Sequence, residues 1–140
     1  YHVQNLMKGG KKIGVIDSQD SLIGNPAYDL VSLIDDVRIK TSIKLKNQIY
    51  NYYLKKTSKI YKTNSNKFLE DFKILSVQRS LKIIGIFSRL FIRDKKKQYL
   101  KFIPYTWRLL EMRMRSEIFF ELKKTLNDNV PRKFRKKIIF

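Results

Sequence analysis

Hydrophobic and polar residues follow one another in a pattern that predicts a short β-hairpin followed by helices. The stretch QNLMKGGKKIGVID carries two short strands around Gly9–Gly10, a pair that accepts the positive φ angles of a tight turn. The second strand is expected over Lys12–Ile16 and stops at Asp17. A loop rich in turn residues follows, and Pro26 then suits the first turn of a helix that Asn25 caps.

Apolar residues at helical spacing predict a series of helices over the rest of the chain. The second half of the third helix, LKIIGIFSRLFI, is apolar on nearly all sides, which is typical of a central, buried helix. Asp94 and the lysines after it are expected to end that helix, and Pro104 to bend the next one. The predicted fold is therefore mainly α with a small N-terminal β-hairpin. The expected helices are Ala27–Val37, Thr41 or Ser42 to about Lys56, Asn64–Asn66 to Asp94, Gln98–Arg115 and Glu117–Leu126.

Composition excludes several classes of site. The 140 residues contain no cysteine, which excludes disulfides, thiol nucleophiles and zinc–cysteine clusters, and the single histidine, His2, excludes multi-histidine metal sites. The longest apolar run, Ile83–Phe87, is far shorter than the ~20 residues of a membrane-spanning helix, and no signal-peptide pattern opens the chain. The expectation is a soluble, cytoplasmic protein with no membrane partner.

The net charge of +19 comes from 31 basic and 12 acidic side chains, a surplus that usually indicates nucleic-acid binding. Lysine outnumbers arginine 22 to 9, however, whereas recognition of phosphates and bases favours arginine. Isoleucine occurs 17 times and alanine once, a bias typical of an AT-rich coding sequence in which many lysines are solvated surface positions. A basic helical module that binds nucleic acid is therefore kept only as an alternative function.

The hairpin holds the residues with the most informative chemistry, Asn5 and Asp17. Counted from a turn at Gly9–Gly10, both side chains lie at the open end of the hairpin, offset by about 10 Å at the rise of a β-strand. An amide oxygen and a carboxylate at one strand end suit a hard cation such as magnesium. A surface asparagine and an aspartate that merely ends a strand are the alternative interpretation.

The segments YHVQNLM, GVIDSQD and GNPAYDLVSLIDD resemble the active-site half of the aminoglycoside phosphotransferase family, which is related to the protein kinases. Members of that family carry a catalytic loop of the form H-x-D-x-x-x-x-N, then a hairpin and an I-D-x-x-D segment. The resemblance implies that Asn5 and Asp17 are magnesium ligands, with Asp17 as the counterpart of the kinase DFG aspartate. It also implies that Asp29 braces the catalytic loop from the following helix.

Later segments, QRSLKIIGIFSRL and QYLKFIP together with Trp107, are similar to one branch of this family. Its members are cytoplasmic kinases that phosphorylate the anomeric hydroxyl of N-acetylmuramate and N-acetylglucosamine in cell-wall sugar recycling. The resemblance therefore implies a kinase that uses ATP and Mg²⁺ and acts on an amino sugar. The branch usually reads I-D-F-Q-D, and this chain has Ser18 in place of the phenylalanine.

Counting five residues back from Asn5 places the general-base aspartate immediately before Tyr1, outside the chain. The N-terminal lobe that binds the nucleotide is expected from the same polypeptide, so no activity is expected of this chain alone. Residues 1–140 are thus interpreted as the C-terminal lobe of a phosphotransferase. Within it, 1–24 holds the remnant of the catalytic loop, the hairpin and the metal-binding loop, 25–130 the helical subdomain, and 131–140 a basic, solvated tail.

Four further residues are candidates for binding the substrate: Gln19, Asp20, Arg79 and Trp107. Gln19 and Asp20 suit hydrogen bonds to sugar hydroxyls, and bracing of their own loop is the alternative. For Arg79 the alternative is a structural ion pair, and for Trp107 it is packing in the core. Kinases of aminoglycosides, choline or homoserine are alternative activities. Their pockets carry acidic residues for cationic substrates, and the later helices are poor in these.

Overall fold

The computed structural model describes residues 3–17, 23–61 and 64–136. This part of the chain consists of one antiparallel hairpin followed by helices, which confirms the expected fold class. None of its helices is long and apolar enough to cross a membrane. The strands are β1 (Leu6–Gly9) and β2 (Lys12–Val15), and the helices are α1 (Ala27–Ile34), α2 (Ile43–Tyr61), α3 (Ser65–Ile92), α4 (Ile103–Arg113), α5 (Phe120–Asn129) and α6 (Arg132–Lys136), with short 3₁₀ segments at Val3–Asn5, Lys97–Phe102 and Glu117–Phe119.

The hairpin closes with Gly9 opposite Lys12, so the two residues of its turn are Gly10 and Lys11. The turn therefore lies one position later than the Gly9–Gly10 turn expected from the sequence. Gly10 has a φ of 60°, a left-handed conformation that glycine adopts without the steric cost of a β-carbon. Only the second glycine of the pair is thus used for the turn, and the first ends β1.

Asn25 caps the first turn of α1, as expected. Its Oδ1 accepts a hydrogen bond from the Ala27 amide at 2.9 Å, and its backbone carbonyl accepts one from the Tyr28 amide at 3.0 Å. Amides in the first turn of a helix lack partners within the helix, so a preceding asparagine stabilises the start of α1.

A buried ion pair fixes the other end of α1. Lys46 Nζ lies 2.9 Å from Asp35 Oδ1, with side chains that are 4% and 2% exposed. The Ile34 carbonyl accepts hydrogen bonds from Lys46 Nζ and, at 3.1 Å, from Thr41 Oγ1. Asp35 leaves helical geometry at this point, and α1 therefore ends at Ile34 rather than at the expected Val37.

The chain forms two compact units, Tyr1–Leu75 and Ser76–Phe140, with α3 contributing to both. The core of the first unit is built from the apolar faces of α1, α2 and the first part of α3. The Tyr50 ring meets the Phe72 ring edge-on at 5.0 Å, and Tyr53 stacks on Phe68 at 5.7 Å. Residues three positions apart on α2 and four positions apart on α3 thus interlock in this core. Its buried members are Ala27, Leu30, Val31, Ile34, Phe68 and Phe72.

The second unit has a core of its own around Trp107, which is 6% exposed. Its buried members are Val77, Trp107, Leu110, Met114 and Phe119. The expected helix Gln98–Arg115 is divided here into the 3₁₀ segment and α4. Pro104 lies in the first turn of α4, where its missing N–H costs no hydrogen bond, so the proline begins the helix instead of bending it.

The second half of α3 is only partly covered, in contrast to the fully buried helix expected from its composition. Phe87 is buried against the rings of Tyr99 and Phe102, whereas Ile92 is 68% exposed. The helix ends at Ile92, as expected for a segment followed by Asp94 and lysines. Just beyond its end, a hydrogen bond from the neighbouring Arg93 guanidinium lowers the pKa of Asp94.

The basic tail is helical over α6, and the expectation of a solvated tail is wrong for Arg135, whereas the other four residues of α6 are exposed. Arg135 is 4% exposed, and its guanidinium lies 5.0 Å from the centre of the Trp107 ring. Arg135 Nε donates to the Val130 carbonyl at 2.8 Å, Nη2 donates to the Leu126 carbonyl, and Nη1 contacts Glu111 Oε1 at 3.2 Å. The end of α5 thus supplies carbonyls that the sequence alone did not reveal as partners of this arginine.

Candidate active site

The hairpin brings Asn5 and Asp17 into contact at its open end. The Ile16 amide donates to the Asn5 carbonyl at 2.9 Å, which extends the hairpin ladder by one pair. Asp17 follows with a φ of 64°, a left-handed conformation that aspartate accepts more readily than most residues. Asn5 Nδ2 donates a hydrogen bond to Asp17 Oδ2 at 3.2 Å. Two side chains twelve residues apart in the sequence therefore meet at one point.

The two side chains are closer than the offset of about 10 Å that strand geometry led us to expect. That expectation centred the turn on Gly9–Gly10, whereas the turn is formed by Gly10 and Lys11. The later turn places Asn5 and Asp17 almost level with each other across the hairpin. The error therefore lay in the position of the turn.

The chemistry of this pair fits magnesium. A carboxylate and an amide oxygen are hard ligands of the kind that Mg²⁺ prefers. Among the described residues, no three His, Cys, Asp or Glu side chains lie together as a metal cluster. Mg²⁺ commonly binds one or two protein oxygens and completes its shell with phosphate and water. Asp17 is exposed, which leaves it accessible to such a phosphate.

Asp29 lies in the first turn of α1, on its exposed side. The opposite side of this helix is held in the core by Ala27, Leu30 and Val31. The helix therefore presents Asp29 from a fixed support. The catalytic loop that Asp29 is expected to brace lies mostly outside the described residues, so this role stays a prediction.

The other candidate residues are distributed over the chain. Gln19 and Asp20, like Ser18, lie outside the described residues. Arg79 is half-buried on α3. Trp107 is buried in the core of the second unit, with Arg135 over its ring. This environment agrees with the packing role that was the alternative for Trp107, and contact of either residue with a substrate stays a prediction.

Two carboxylates near the ends of α1 had no signal in the sequence that pointed to their environment. Asp71 Oδ2 on α3 accepts a hydrogen bond from Asn25 Nδ2 at 2.8 Å, across 46 residues of sequence. Asp36 is 1% exposed, and its Oδ1 accepts from the Arg38 amide, while its Oδ2 has no hydrogen-bond partner among the described residues. The contact between Asn25 and Asp71 follows no periodicity of the sequence, so only the folded chain reveals it.

Comparison with known proteins shows what this part of the chain is similar to. A model of the phosphotransferase enzyme family matches residues 1–62, the segment that holds Asn5, Asp17 and Asp29. The chain is 32% identical over 136 residues to the N-acetylmuramate/N-acetylglucosamine kinase of Caulobacter vibrioides, an alignment that covers 94% of this chain and 37% of the relative. These matches confirm the resemblance that the sequence motifs indicated.

Kinases with the same name from two other bacteria are similar to the chain. The relative from Pseudomonas aeruginosa is 35% identical over 114 residues, with 79% of this chain and 34% of the relative covered. The relative from Neisseria meningitidis serogroup B is 37% identical over 105 residues, with 73% of this chain and 31% of the relative covered. The chain thus spans about a third of the length of the curated relatives it matches.

Proposed function

We propose that the protein is a small-molecule kinase that uses ATP to phosphorylate a hydroxyl of an amino sugar, because residues 1–62 match the model of the phosphotransferase enzyme family. The observation that carries this proposal is the 3.2 Å contact between Asn5 Nδ2 and Asp17 Oδ2. The names of the matched relatives support N-acetylmuramate or N-acetylglucosamine as the sugar. With that substrate, the reaction belongs to cell-wall sugar recycling.

Asn5 and Asp17 would hold the metal ion that accompanies the nucleotide, through an amide oxygen and a carboxylate. When bound, Mg²⁺ neutralises charge on the phosphates of ATP. The hydrogen bond between the two side chains keeps them at one point of the hairpin, so little rearrangement is needed to bring both to the ion. Asp29 would brace the catalytic loop from α1.

The general base in this proposal is an aspartate immediately before Tyr1, in a longer polypeptide that also supplies the nucleotide-binding lobe. The greater length of the matched relatives supports this arrangement. We call this polypeptide the full-length enzyme. Gln19, Asp20, Arg79 and Trp107 are the proposed contacts to the sugar, the first two through hydrogen bonds to hydroxyls.

The preference among substrates tests the proposal. A cationic aminoglycoside needs carboxylates around it, because an unpaired charge is costly to bury. Residues 41–140 hold only seven acidic side chains in a strongly basic segment, which would repel an aminoglycoside but tolerate the carboxylate of N-acetylmuramate. We therefore expect the kcat/KM of the full-length enzyme to be at least about 100-fold higher for N-acetylmuramate or N-acetylglucosamine than for kanamycin, a difference of roughly 2.7 kcal/mol.

All three substrates should be compared at the same concentration of magnesium and ATP. A preference for kanamycin would assign the enzyme to a different branch of the family. Absence of phosphate transfer to all three would contradict the proposed sugar kinase.

A further inference from the structure

The start of α1 is tied to α3 by a hydrogen bond that the proposed function does not use. Asn25 Nδ2 donates to Asp71 Oδ2 at 2.8 Å, while Asn25 Oδ1 accepts from the Ala27 amide at 2.9 Å. The Asn25 carbonyl also accepts from the Tyr28 amide at 3.0 Å. One exposed asparagine therefore links the first turn of α1 to a carboxylate of α3.

Asn25, rather than the residue directly before α1, caps this helix with its side chain. The residue directly before α1 is Pro26, which makes no side-chain hydrogen bond to the helix. Of the described residues directly before Asn25, Ile23 is fully exposed and Gly24 has open space where a side chain would be. The Asn25 amide is thus held by two hydrogen bonds, one from the Ala27 amide to its Oδ1 and one from its Nδ2 to Asp71.

Asp71 is in turn held by the core of the first unit. It lies on α3 between Phe68 and Phe72, which are 4% and 2% exposed and pack against α1. Asp71 is half-buried, so its carboxylate projects from a fixed support toward the start of α1. A charged acceptor in such a setting makes a stronger hydrogen bond than a neutral one.

We infer that Asp71 is a positioning residue for the active site, acting through Asn25 on the first turn of α1 and thereby on Asp29. Asp29 lies one helical turn after Asn25, so a change in the start of α1 moves it directly. The inference rests on the proposed function, in which Asp29 braces the catalytic loop. Neither Asp71 nor Asn25 touches the substrate or the metal ion in this scheme.

A charge-swap cycle in the full-length enzyme tests the inference. Asn25→Asp sets two carboxylates against each other and should lower kcat about tenfold, whereas Asp71→Asn keeps an acceptor and should lower kcat less than about twofold. The double variant Asn25→Asp/Asp71→Asn restores the hydrogen bond with donor and acceptor exchanged, and kcat should return to within about threefold of the wild-type value. The KM for ATP and for the sugar should change less than about twofold in each variant.

Two further measurements separate positioning from general stability. Glu70→Leu removes an exposed carboxylate from the neighbouring position of α3 and should leave kcat unchanged, whereas Asp71→Leu should lower it as Asn25→Asp does. Amide hydrogen exchange at Ala27 and Tyr28 should become faster in Asn25→Asp and Asp71→Leu and return to the wild-type rate in the double variant.

The outcomes distinguish this inference from the proposed function. If the wild-type enzyme is active and the double variant is no better than Asn25→Asp in kcat, Asp71 does not position the site and the inference is wrong. If the wild-type enzyme phosphorylates no sugar, the proposed function fails. Recovery of amide protection in the double variant then still supports the link between Asp71 and α1, and its absence overturns that link.

Discussion

Asp17 combines a left-handed backbone with a side chain that contacts Asn5. Most residues with a β-carbon are strained at a φ of 64°, and aspartate and asparagine are the usual exceptions. Residues other than glycine in this left-handed conformation are concentrated at functional sites, where the surrounding structure holds them. Alanine at this position would change both the backbone preference and the side chain. Asparagine changes only the charge, so it is the better test of a metal ligand.

We predict that Asp17→Asn lowers kcat of the full-length enzyme at least about 100-fold, because the metal ion loses a charged ligand. The melting temperature should change by less than about 2 °C, since an exposed hydrogen bond contributes little to stability. Asn5→Ala should act in the same direction with a smaller effect. Turnover is measured as release of ADP, and melting by circular dichroism.

Asp128→Asn, an exposed position on α5, is the matched control and should leave turnover unchanged. Full turnover in Asp17→Asn would exclude Asp17 as a metal ligand. A large loss of melting temperature with normal turnover would instead assign Asp17 a structural role at the end of β2.

At the residue scale, spacing placed Asn5 and Asp17 at the same end of the hairpin, because a hairpin brings residues on either side of its turn together, and the family resemblance selected them as metal ligands. The distance between them depended on which glycine forms the turn, and Gly9 and Gly10 are equivalent in the sequence. The contact between Asn25 and Asp71 depends on the packing of α3 against α1, which no local pattern encodes.

At the scale of elements, the helix ends show where local rules hold and where packing overrides them. Pro104 obeys the rule that proline suits the first turn, but the extent of the preceding 3₁₀ segment was not foreseen. The end of α1 at Ile34 is set by Lys46, a lysine whose burial is exceptional among charged residues. α6 shows most clearly that packing overrides a local rule, because this basic segment was expected to be solvated and yet contains the buried Arg135.

We predict that Arg135→Ala destabilises the protein by about 2 kcal/mol, because the Leu126 and Val130 carbonyls lose their partner and Trp107 loses a stacked cation. Trp107 is the only tryptophan, so its fluorescence in a urea titration reports directly on this region. The emission of the folded variant should also shift to longer wavelength, since water gains access to the ring.

Arg132→Ala removes an exposed arginine from the same helix and should change the free energy of unfolding by less than about 0.5 kcal/mol. Equal effects of the two substitutions would show that only the net charge of α6 matters. An unchanged Trp107 emission in Arg135→Ala would contradict the contact between the guanidinium and the ring.

At the scale of the whole molecule, the positive charge is unequally divided. Residues 76–140 carry 18 basic and 5 acidic side chains, and residues 1–75 carry 13 and 7. The dense runs of basic residues are short, as at Lys95–Lys97, and the described lysines in these runs are exposed. The fold class and the element order followed from hydrophobic periodicity, whereas the formation of separate cores around Phe72 and Trp107 did not, because it depends on which faces of α3 are covered.

This charge distribution predicts non-specific binding to nucleic acid that disappears at physiological salt. A protein without a dedicated site binds oligonucleotides through released counterions, so affinity falls steeply as salt rises. We expect a Kd weaker than about 10 µM at 150 mM salt, with no preference for sequence, measured by fluorescence anisotropy at several salt concentrations.

Two triple substitutions to glutamine provide the matched comparison, one at Lys8, Lys11 and Lys12 and the other at Lys95, Lys96 and Lys97, all of which are exposed. Because each removes the same charge, both should weaken binding at low salt to the same extent. A Kd below about 0.1 µM at 150 mM salt, or loss of binding in only one of the two variants, would reveal a dedicated nucleic-acid site and contradict this prediction.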